Sequence, residues 1–510
     1  MKDEISNGVS KFERQRQEKL ARIKELGIDP YGGRFDGAEP AADVKRRYKD
    51  GDETQQAKCA GRIVLLREMG SLTFITLRDW SGTIQVGLSK KLLGPDKSGW
   101  QLAKLLELGD IIGAAGKLGK TKTGEITIWV APASSGEDRS GGLTLLSKCL
   151  CQPPEKFHSL TDIDQRYRHR FVDLWANPEV MERFKKRSSI IVSLREFLES
   201  RGFLEVETPM MQAIPGGAAA KPFVTHHNSL DLDLFLRISP ELFLKRLLVG
   251  GMEKVFEINR NFRNEGLSRQ HNPEFTMLEL YQAYADYNVM MDLTEEIIYL
   301  CVEKHCNGSQ LLFGDLTVDF SRPWRRAQYA ELLKQNSGCD IDDIKAVRTK
   351  ARELGVDESG MDDAVVINEV FEATVENNLV NPTFVIDYPS ALCPLTKRKK
   401  GDDRPKAGLI RPAYGGFAER FELYIAQMEL ANAYTELNDP AEQYENFLIQ
   451  LRGQEESIRT MDRDYIMALK YGMPPAGGLG IGIDRLIMVL TGATSIRDVV
   501  LFPLLKPKSS

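Results

Sequence analysis

From Lys254 the chain reads KVFEINRNFRNEGLSRQHNPEFTMLELYQAY, two alternating runs flanking a polar loop. A strand period of two puts Phe256, Ile258 and Phe262 on one face of the first run, and Glu257, Asn259, Asn261 and Arg263 on the other. On the return run Thr276, Leu278 and Leu280 face a core, while Phe275, Met277, Glu279 and Tyr281 project oppositely. One surface then holds Arg263, Phe275, Glu279 and Tyr281. An arginine, an aromatic plate and a carboxylate on one sheet face suit an anionic nucleotide and a cationic ligand. A solvent-exposed hairpin with ordinary polar residues is the plainer reading of the same pattern.

A second segment runs from Arg420 to Glu436. If Ala426-Gln427 forms a two-residue turn, Glu422 opposes Ala431 and Glu429 opposes Tyr424, so both carboxylates share a face as diagonal neighbours able to hold one Mg2+. Ala-Gln is poor chemistry for so tight a turn. Glu436 lies an odd number of residues from Glu429, so a bulge or strand end must intervene if the two act together. The third segment, Gly477-Gly478-Leu479-Gly480-Ile481-Gly482-Ile483-Asp484-Arg485-Leu486, reads as a glycine-rich strand turning into a helix and is not a Rossmann fingerprint. An arginine in a first helical turn opposes the helix dipole unless an anion sits there, which makes Arg485 a candidate phosphate ligand.

The elements that must position these residues belong to a chain of 510 residues, 42% of them hydrophobic, long enough for about two to four domains. Five short β-rich runs between Cys59 and Val130 suit a small barrel such as the OB-fold, which with a leading helix makes an N-terminal domain over 1–150. In Thr73-Phe74-Ile75-Thr76-Leu77-Arg78 the alternation leaves Phe74 and Arg78 outward, an aromatic able to stack a nucleobase or to tuck under a loop. The Ser-, Gly- and Pro-rich stretch from about Ser134 to His158 reads as a linker. The remainder, 151–510, is one large α+β domain in which 306–382 looks helical, a possible insertion. The stretch Lys11 to Lys24 is basic and helical, either a solvated surface helix or a phosphate-contacting arm, although the net charge of −5 favours no nucleic-acid partner overall. Seven scattered cysteines read as reduced thiols, and Cys301, His305 and Cys306 do not make a structural zinc site. With no membrane-length apolar run and no leader pattern at Met1, a cytoplasmic protein without a membrane partner is expected.

Together these segments resemble the class II aminoacyl-tRNA synthetases. Motif 1 of that class resembles Arg201-Gly202-Phe203-Leu204-Glu205-Val206-Glu207-Thr208-Pro209, motif 2 Phe262-Arg263-Asn264-Glu265, and motif 3 Gly480-Ile481-Gly482-Ile483-Asp484-Arg485, in the class's order. Thr225-His226-His227-Asn228, Arg237-Ile238-Ser239-Pro240-Glu241, His271-Asn272-Pro273-Glu274-Phe275-Thr276 and Thr435-Glu436-Leu437-Asn438-Asp439 are similar to the lysyl family within it. The resemblance implies an antiparallel sheet with flanking helices, a five-stranded OB-fold barrel that reads an anticodon, a homodimer through motif 1, and ATP, L-lysine and tRNA(Lys) as partners. It further implies that Arg263 bridges the amino-acid carboxylate and the ATP α-phosphate, that Phe275 stacks adenine, that Glu265 and His271 assist ATP, and that Arg485 meets the terminal phosphates. Glu422 and Glu429 would hold Mg2+, with more than one ion accompanying ATP. Gly217 and Glu241 would take the α-amino group, Glu436 with Tyr281 and Glu279 the ε-ammonium, and Asn432 and Tyr434 would line the pocket; Phe74, Gln85 and Glu125 correspond to base-reading positions.

The chain departs from the family pattern in a longer stretch from Arg398 to Gly416, in Cys393, in Gln427 and in Gly492. The long loop is expected to order over the site when ATP and lysine bind. An aspartyl or asparaginyl enzyme would need a cation where Glu436 sits, a protein-lysylating paralogue would lack the barrel, and a catalytically dead nucleic-acid-binding protein would not retain Arg263, Glu422, Glu429, Glu436 and Arg485 together.

Overall fold

Residues 11–94, 98–131, 142–152, 162–218, 220–400, 415–452 and 461–507 are described in a computed structural model of the chain, which divides into two units, Met1–Ser159 and Leu160–Ser510. In the first, strands β1 (Gln56–Met69), β2 (Leu72–Arg78), β3 (Thr83–Ser89), β4 (Ile111–Lys120), β5 (Ile126–Val130) and β6 (Leu143–Ser147) lie in the order β1-β2-β3-β5-β4-β6. A second pairing of β1 with β4 closes the barrel. Alternation delivers Ile63, Ile75, Leu77, Val86, Ile112 and Ile128 to its interior, and Phe74 and Arg78 lie on the outer face of β2, as expected. The β-rich runs are β1 to β5; β6 is a correction, because it falls in the segment read as a linker. Its few alternating residues are lost among glycines and serines, and what makes it a strand is antiparallel pairing with β4, a non-local partner.

The helix Lys11–Glu25 ends before Gly27, whose φ of 74° suits a helix stop. It is docked rather than merely solvated: Ile23 is in the barrel core, and buried Arg16 donates to the carbonyls of Cys149 at 2.8 Å and Leu108 at 3.0 Å.

In the second unit a short edge strand β7 (Leu204–Glu205) precedes a small sheet of β8 (Met211–Gln212), β9 (Val224–His227) and β10 (Leu232–Leu236). Then come β11 (Lys254–Phe262), β12 (Glu274–Ala283), a hairpin of β13 (Gln310–Phe313) and β14 (Leu316–Asp319), β15 (Arg325–Gln328), β16 (Thr383–Pro389), β17 (Phe417–Ile425), β18 (Met428–Thr435) and β19 (Ala476–Gly482). The main sheet runs β15-β16-β17-β18-β19-β12-β11-β7, antiparallel except at its two edges. One face carries Leu278, Leu280, Leu423, Ala433, Leu479 and Ile481, buried against the helices Pro178–Ser200, Tyr287–His305 and Ile483–Thr491. The stretch 306–382 contains three helices with their own core around Tyr329, Val347 and Phe371. It also supplies the hairpin and β15, which joins the main sheet.

Among the described residues the seven cysteines are unpaired, no cluster of three or more His, Cys, Asp or Glu could hold a metal by itself, and no helix is long and apolar enough to cross a membrane.

Candidate active site

The face of the sheet turned away from those helices is floored by glycine. In β19, Leu479 and Ile481 go into the core and alternate with Gly478, Gly480 and Gly482 on the other side. Gly478 lies between Tyr434 and Tyr281, and Gly480 between Asn432 and Glu279. A Cβ built on Gly478 would stand 1.9 Å from Glu436 Oε1 and 2.5 Å from Tyr281 Cε1. Gly478→Ala is therefore expected to force Glu436 or Tyr281 out of place and to lower the melting temperature. Thermal melting checks this, and a variant that melts with the wild type would show that these side chains have room to retreat.

Carboxylates crowd this end of the face. Glu241, Glu279 and Glu436 are all buried. The helix Glu241–Val249 brings Glu241 into reach of the Tyr434 hydroxyl, which donates to Oε2 at 3.1 Å, and of Lys245 Nζ, 2.6 Å from Oε1. Lys245, itself fully buried, is also ion-paired with Glu436. Glu279 accepts from Ser239 Oγ at 3.0 Å and from the Tyr281 hydroxyl at 3.3 Å. Burial and the nearby Glu241 push Glu279 up to about 7; burial pushes Glu436 up to about 8, against the pull of Lys245. Gly217, at φ 87°, lies so close that an added Cβ would sit 3.1 Å from Glu241 Cβ. Glu436 Oε1 and Asn432 Oδ1 are buried without a hydrogen-bond partner, a situation that costs about 1–3 kcal/mol per group in a closed core and so suits a site that receives polar groups.

At the other end Arg263 follows β11, its guanidinium 5.2 Å from the Phe275 ring centre. Its buried Nε has no partner, and neither amide atom of Asn261, directly across from Phe275, has one. Arg485, in the first turn of the helix Ile483–Thr491, donates from Nη2 to His271 Nε2 at 2.9 Å and from Nη1 to the Glu429 carbonyl at 2.5 Å. Because arginine can only donate, His271 Nε2 accepts and Nδ1–H must point to Ser268 Oγ, 2.8 Å away. Burial, followed by Arg485, lowers the His271 pKa, with the exposed Glu265 opposing. A neutral imidazole beside two arginines leaves this end cationic, fit for phosphates.

Between the ends lie the paired carboxylates. The turn at Ala426-Gln427 forms despite its residues, both with positive φ, 53° and 64°. Gln427 Nε2 donates to the Asn377 carbonyl at 2.5 Å, which helps hold it there. Glu429 opposes Tyr424 as expected, but Glu422 opposes Asn432, not Ala431, because the register shifts between Leu423 and Tyr424. Leu430 is the bulged residue. That bulge turns Glu429, Asn432, Tyr434 and Glu436 to one face, resolving the parity conflict noted in the sequence. Glu422 accepts from Tyr388 and Tyr424 hydroxyls at 2.7 and 2.8 Å and pairs with Arg420; burial raises its pKa, Arg420 opposing. Two carboxylates on adjacent strands, one of them half-buried and reluctant to stay charged, fit a Mg2+ that would take its remaining oxygen ligands from ATP phosphates and water. Glu376 adds a third acid nearby, 2.8 Å from the Tyr424 hydroxyl and raised by burial to about 7.

On the barrel, Phe74 and Gln85 share the outer face. Phe74 meets Trp129 edge-on at 5.7 Å, Gln85 Nε2 donates to Thr127 Oγ1 at 2.8 Å, and Glu125 pairs loosely with Lys45 at 3.5 Å. The aromatic Trp129 was not anticipated; it shares the face because β5 runs parallel to β3, setting Trp129 beside Gly87.

Lys245, Ser239, Arg237, Glu376 and Arg420 were likewise not singled out from sequence as site residues. The available signal for Lys245 was its i,i+4 spacing from Glu241, which on most helices marks only a surface pair. Of the departures, Cys393 accepts from Arg420 Nη1 at 3.4 Å and Gly492 caps its helix in the left-handed region, φ 67°. The loop expectation covers Arg398 to Gly416, of which 401–414 lie outside the described residues.

The family described as tRNA synthetases class II (D, K and N) matches residues 162–506, and an OB-fold nucleic acid binding domain matches 57–131. The chain is 50% identical over 502 residues to the lysine–tRNA ligase of Carboxydothermus hydrogenoformans, covering 97% of each chain. It is 49% identical over 509 residues to that of Syntrophomonas wolfei, covering 98% of each, and 44% identical over 506 residues to that of Bacillus cereus, covering 97% of each. With its glycine-floored sheet face, its paired carboxylates and these relatives, the chain belongs to the lysine–tRNA ligase family of class II tRNA synthetases.

Proposed function

We infer that this chain activates L-lysine with ATP to lysyl-adenylate and esterifies it onto tRNA(Lys). The observation that carries the reading is the polarity of one sheet face, with three buried carboxylates at one end and Arg263, Arg485 and a neutral His271 at the other. Lysine lies with its ammonium groups among Glu241, Glu279 and Glu436, Gly217 leaving room at the α-amino group and Tyr281, Asn432 and Tyr434 lining the pocket. Its carboxylate faces Arg263, which also takes the α-phosphate and so holds nucleophile and electrophile in line. Adenine stacks on Phe275 with Glu265 and His271 alongside, and Arg485 receives the terminal phosphates as pyrophosphate leaves. Glu422 and Glu429 would hold Mg2+, which would supply charge neutralisation on the phosphates.

An aspartate- or asparagine-specific enzyme is the rival reading among class II synthetases. Lys245 is the cation such a substrate would need, but it is already matched by Glu241 and Glu436. Charging of unfractionated tRNA with labelled lysine, aspartate and asparagine separates the readings: lysine alone should be incorporated, and aspartate or asparagine incorporation would transfer the site to the rival.

The barrel is proposed to read the anticodon through Phe74, Gln85 and Glu125. Loss of one stacked base is worth about 1–3 kcal/mol, so Phe74→Ala should raise the tRNA KM in charging by roughly 5- to 150-fold. An unchanged tRNA KM would remove Phe74 from the interface. A homodimer is supported by exposed Leu204, Met211, Val224, Leu230 and Leu232 around the unpaired edge of β7 and the small sheet beside it; sedimentation equilibrium tests it. Cytoplasmic residence follows from the proposed role in translation.

A further inference from the structure

Lys245 has no role in the chemistry just described, yet it stands at its centre. It is fully buried, one helical turn beyond Glu241, with Nζ 2.6 Å from Glu241 Oε1 and paired to Glu436 as well. A buried ammonium must be paired and hydrogen-bonded to be stable. This one has two, and they are the two assigned above to the substrate's α-amino and ε-ammonium groups. Facing the cluster are Glu279 and Tyr281 from β12, Tyr434 from β18 and Tyr465 from the helix Arg463–Lys470. Arg246, next on the same helix, is turned away to Asp462 at 2.7 Å. Burial holds the Tyr281 and Tyr434 hydroxyls well above the ordinary tyrosine range, so both stay neutral. With all three carboxylates ionised, Arg237 matched by Glu257 and Arg263 left for the substrate carboxylate, the count is three carboxylates against one ammonium. Two negative charges remain, and a lysine substrate brings two ammonium groups.

Resting on the lysine-activating reading, we propose that Lys245 is a specificity-determining positioning residue, a resident counter-ion that shares Glu241 and Glu436 with the substrate and matches the pocket's charge to a diammonium amino acid. Burial alone would strip Lys245 of its proton, but Glu241 and Glu436 hold its pKa well above the ordinary lysine range. The counter-ion is therefore permanent. Without it, Glu436 loses a neighbouring positive charge and takes up a proton more readily. Lysine would then bind only at more alkaline pH.

The test is pyrophosphate exchange by the full-length enzyme across about pH 6 to 9, comparing wild type, Lys245→Met and the double variant Lys245→Met/Glu436→Gln. Lys245→Met should raise KM for lysine at least ~30-fold near pH 7, change kcat at saturating lysine by no more than about threefold, and move the acid limb of kcat/KM up by about one pH unit or more. The double variant, with no Glu436 carboxylate left to titrate, should show a smaller displacement of the limb than Lys245→Met. Should Lys245→Met melt below the assay temperature, Lys245→Gln, which keeps hydrogen bonding but no charge, is read by the same profile. An acid limb and KM unchanged from wild type, or a loss confined to kcat, would overturn the proposal while leaving lysine activation intact. A wild type with no lysine-dependent exchange at any pH would instead overturn the reading beneath it.

Discussion

Arg263→Met is expected to lower kcat/KM for lysine-dependent pyrophosphate exchange by at least ~1,000-fold, with the protein still folded. Arg263 Nε is buried with no partner, so its removal costs the free protein little hydrogen bonding. The loss should appear when lysine carboxylate and α-phosphate repel each other and nothing holds them in line. Removing a single preorganised donor to a developing charge costs about 100- to 1,000-fold, and Arg263 serves two anions at once. Arg263→Lys should recover little, since a point charge cannot reach two oxygens in the guanidinium's planar geometry. Thermal melting with exchange kinetics checks both, and an Arg263→Met enzyme within tenfold of wild type would remove Arg263 from the chemistry.

Glu436→Gln should be comparably damaging but in a different way. The amide is nearly isosteric, so packing against Gly478 and Tyr281 survives, yet the ε-ammonium loses its charged partner. A site built to pair a polar group rejects an unpaired one by up to about 10,000-fold, and a loss of at least ~1,000-fold in kcat/KM for lysine is expected. The pH profile is diagnostic. Glu279, raised to about 7, and Glu436, raised to about 8, must be deprotonated to pair with an ammonium. Wild-type kcat/KM for lysine should therefore fall as pH drops through these values, while kcat, reporting the complex in which bound ammonium favours the carboxylates, should stay flat to lower pH. In Glu436→Gln the upper of the two steps should vanish. A variant retaining the wild-type acid limb would show that Glu436 does not titrate with substrate binding.

Much of this site was legible because strand alternation is a local rule. Arg263, Phe275, Glu279 and Tyr281 were placed on one face by parity alone, and the buried Leu278 and Leu280 on the other face bear that out. The glycines of β19 likewise sat where a strand-to-helix junction was expected. Parity failed where the backbone broke it. The bulge at Leu430 moved Glu422 opposite Asn432, and the sequence could say only that some irregularity was required. Non-local partners were the other blind spot. Strand β6 exists through β4, Trp129 joins Phe74 through the parallel pairing of β3 with β5, and Lys245 acquires its meaning only when β18 carries Glu436 over the helix that bears it. The roles of individual residues came from family resemblance, not from periodicity.

The central claim, that this face activates lysine and no other amino acid, is tested most directly by ATP–pyrophosphate exchange on the wild-type enzyme with each of the twenty amino acids in turn, without tRNA. Exchange dependent on lysine, at least ~100-fold above any other amino acid, is the predicted result. Exchange with aspartate or asparagine, or with none of the twenty, would contradict it.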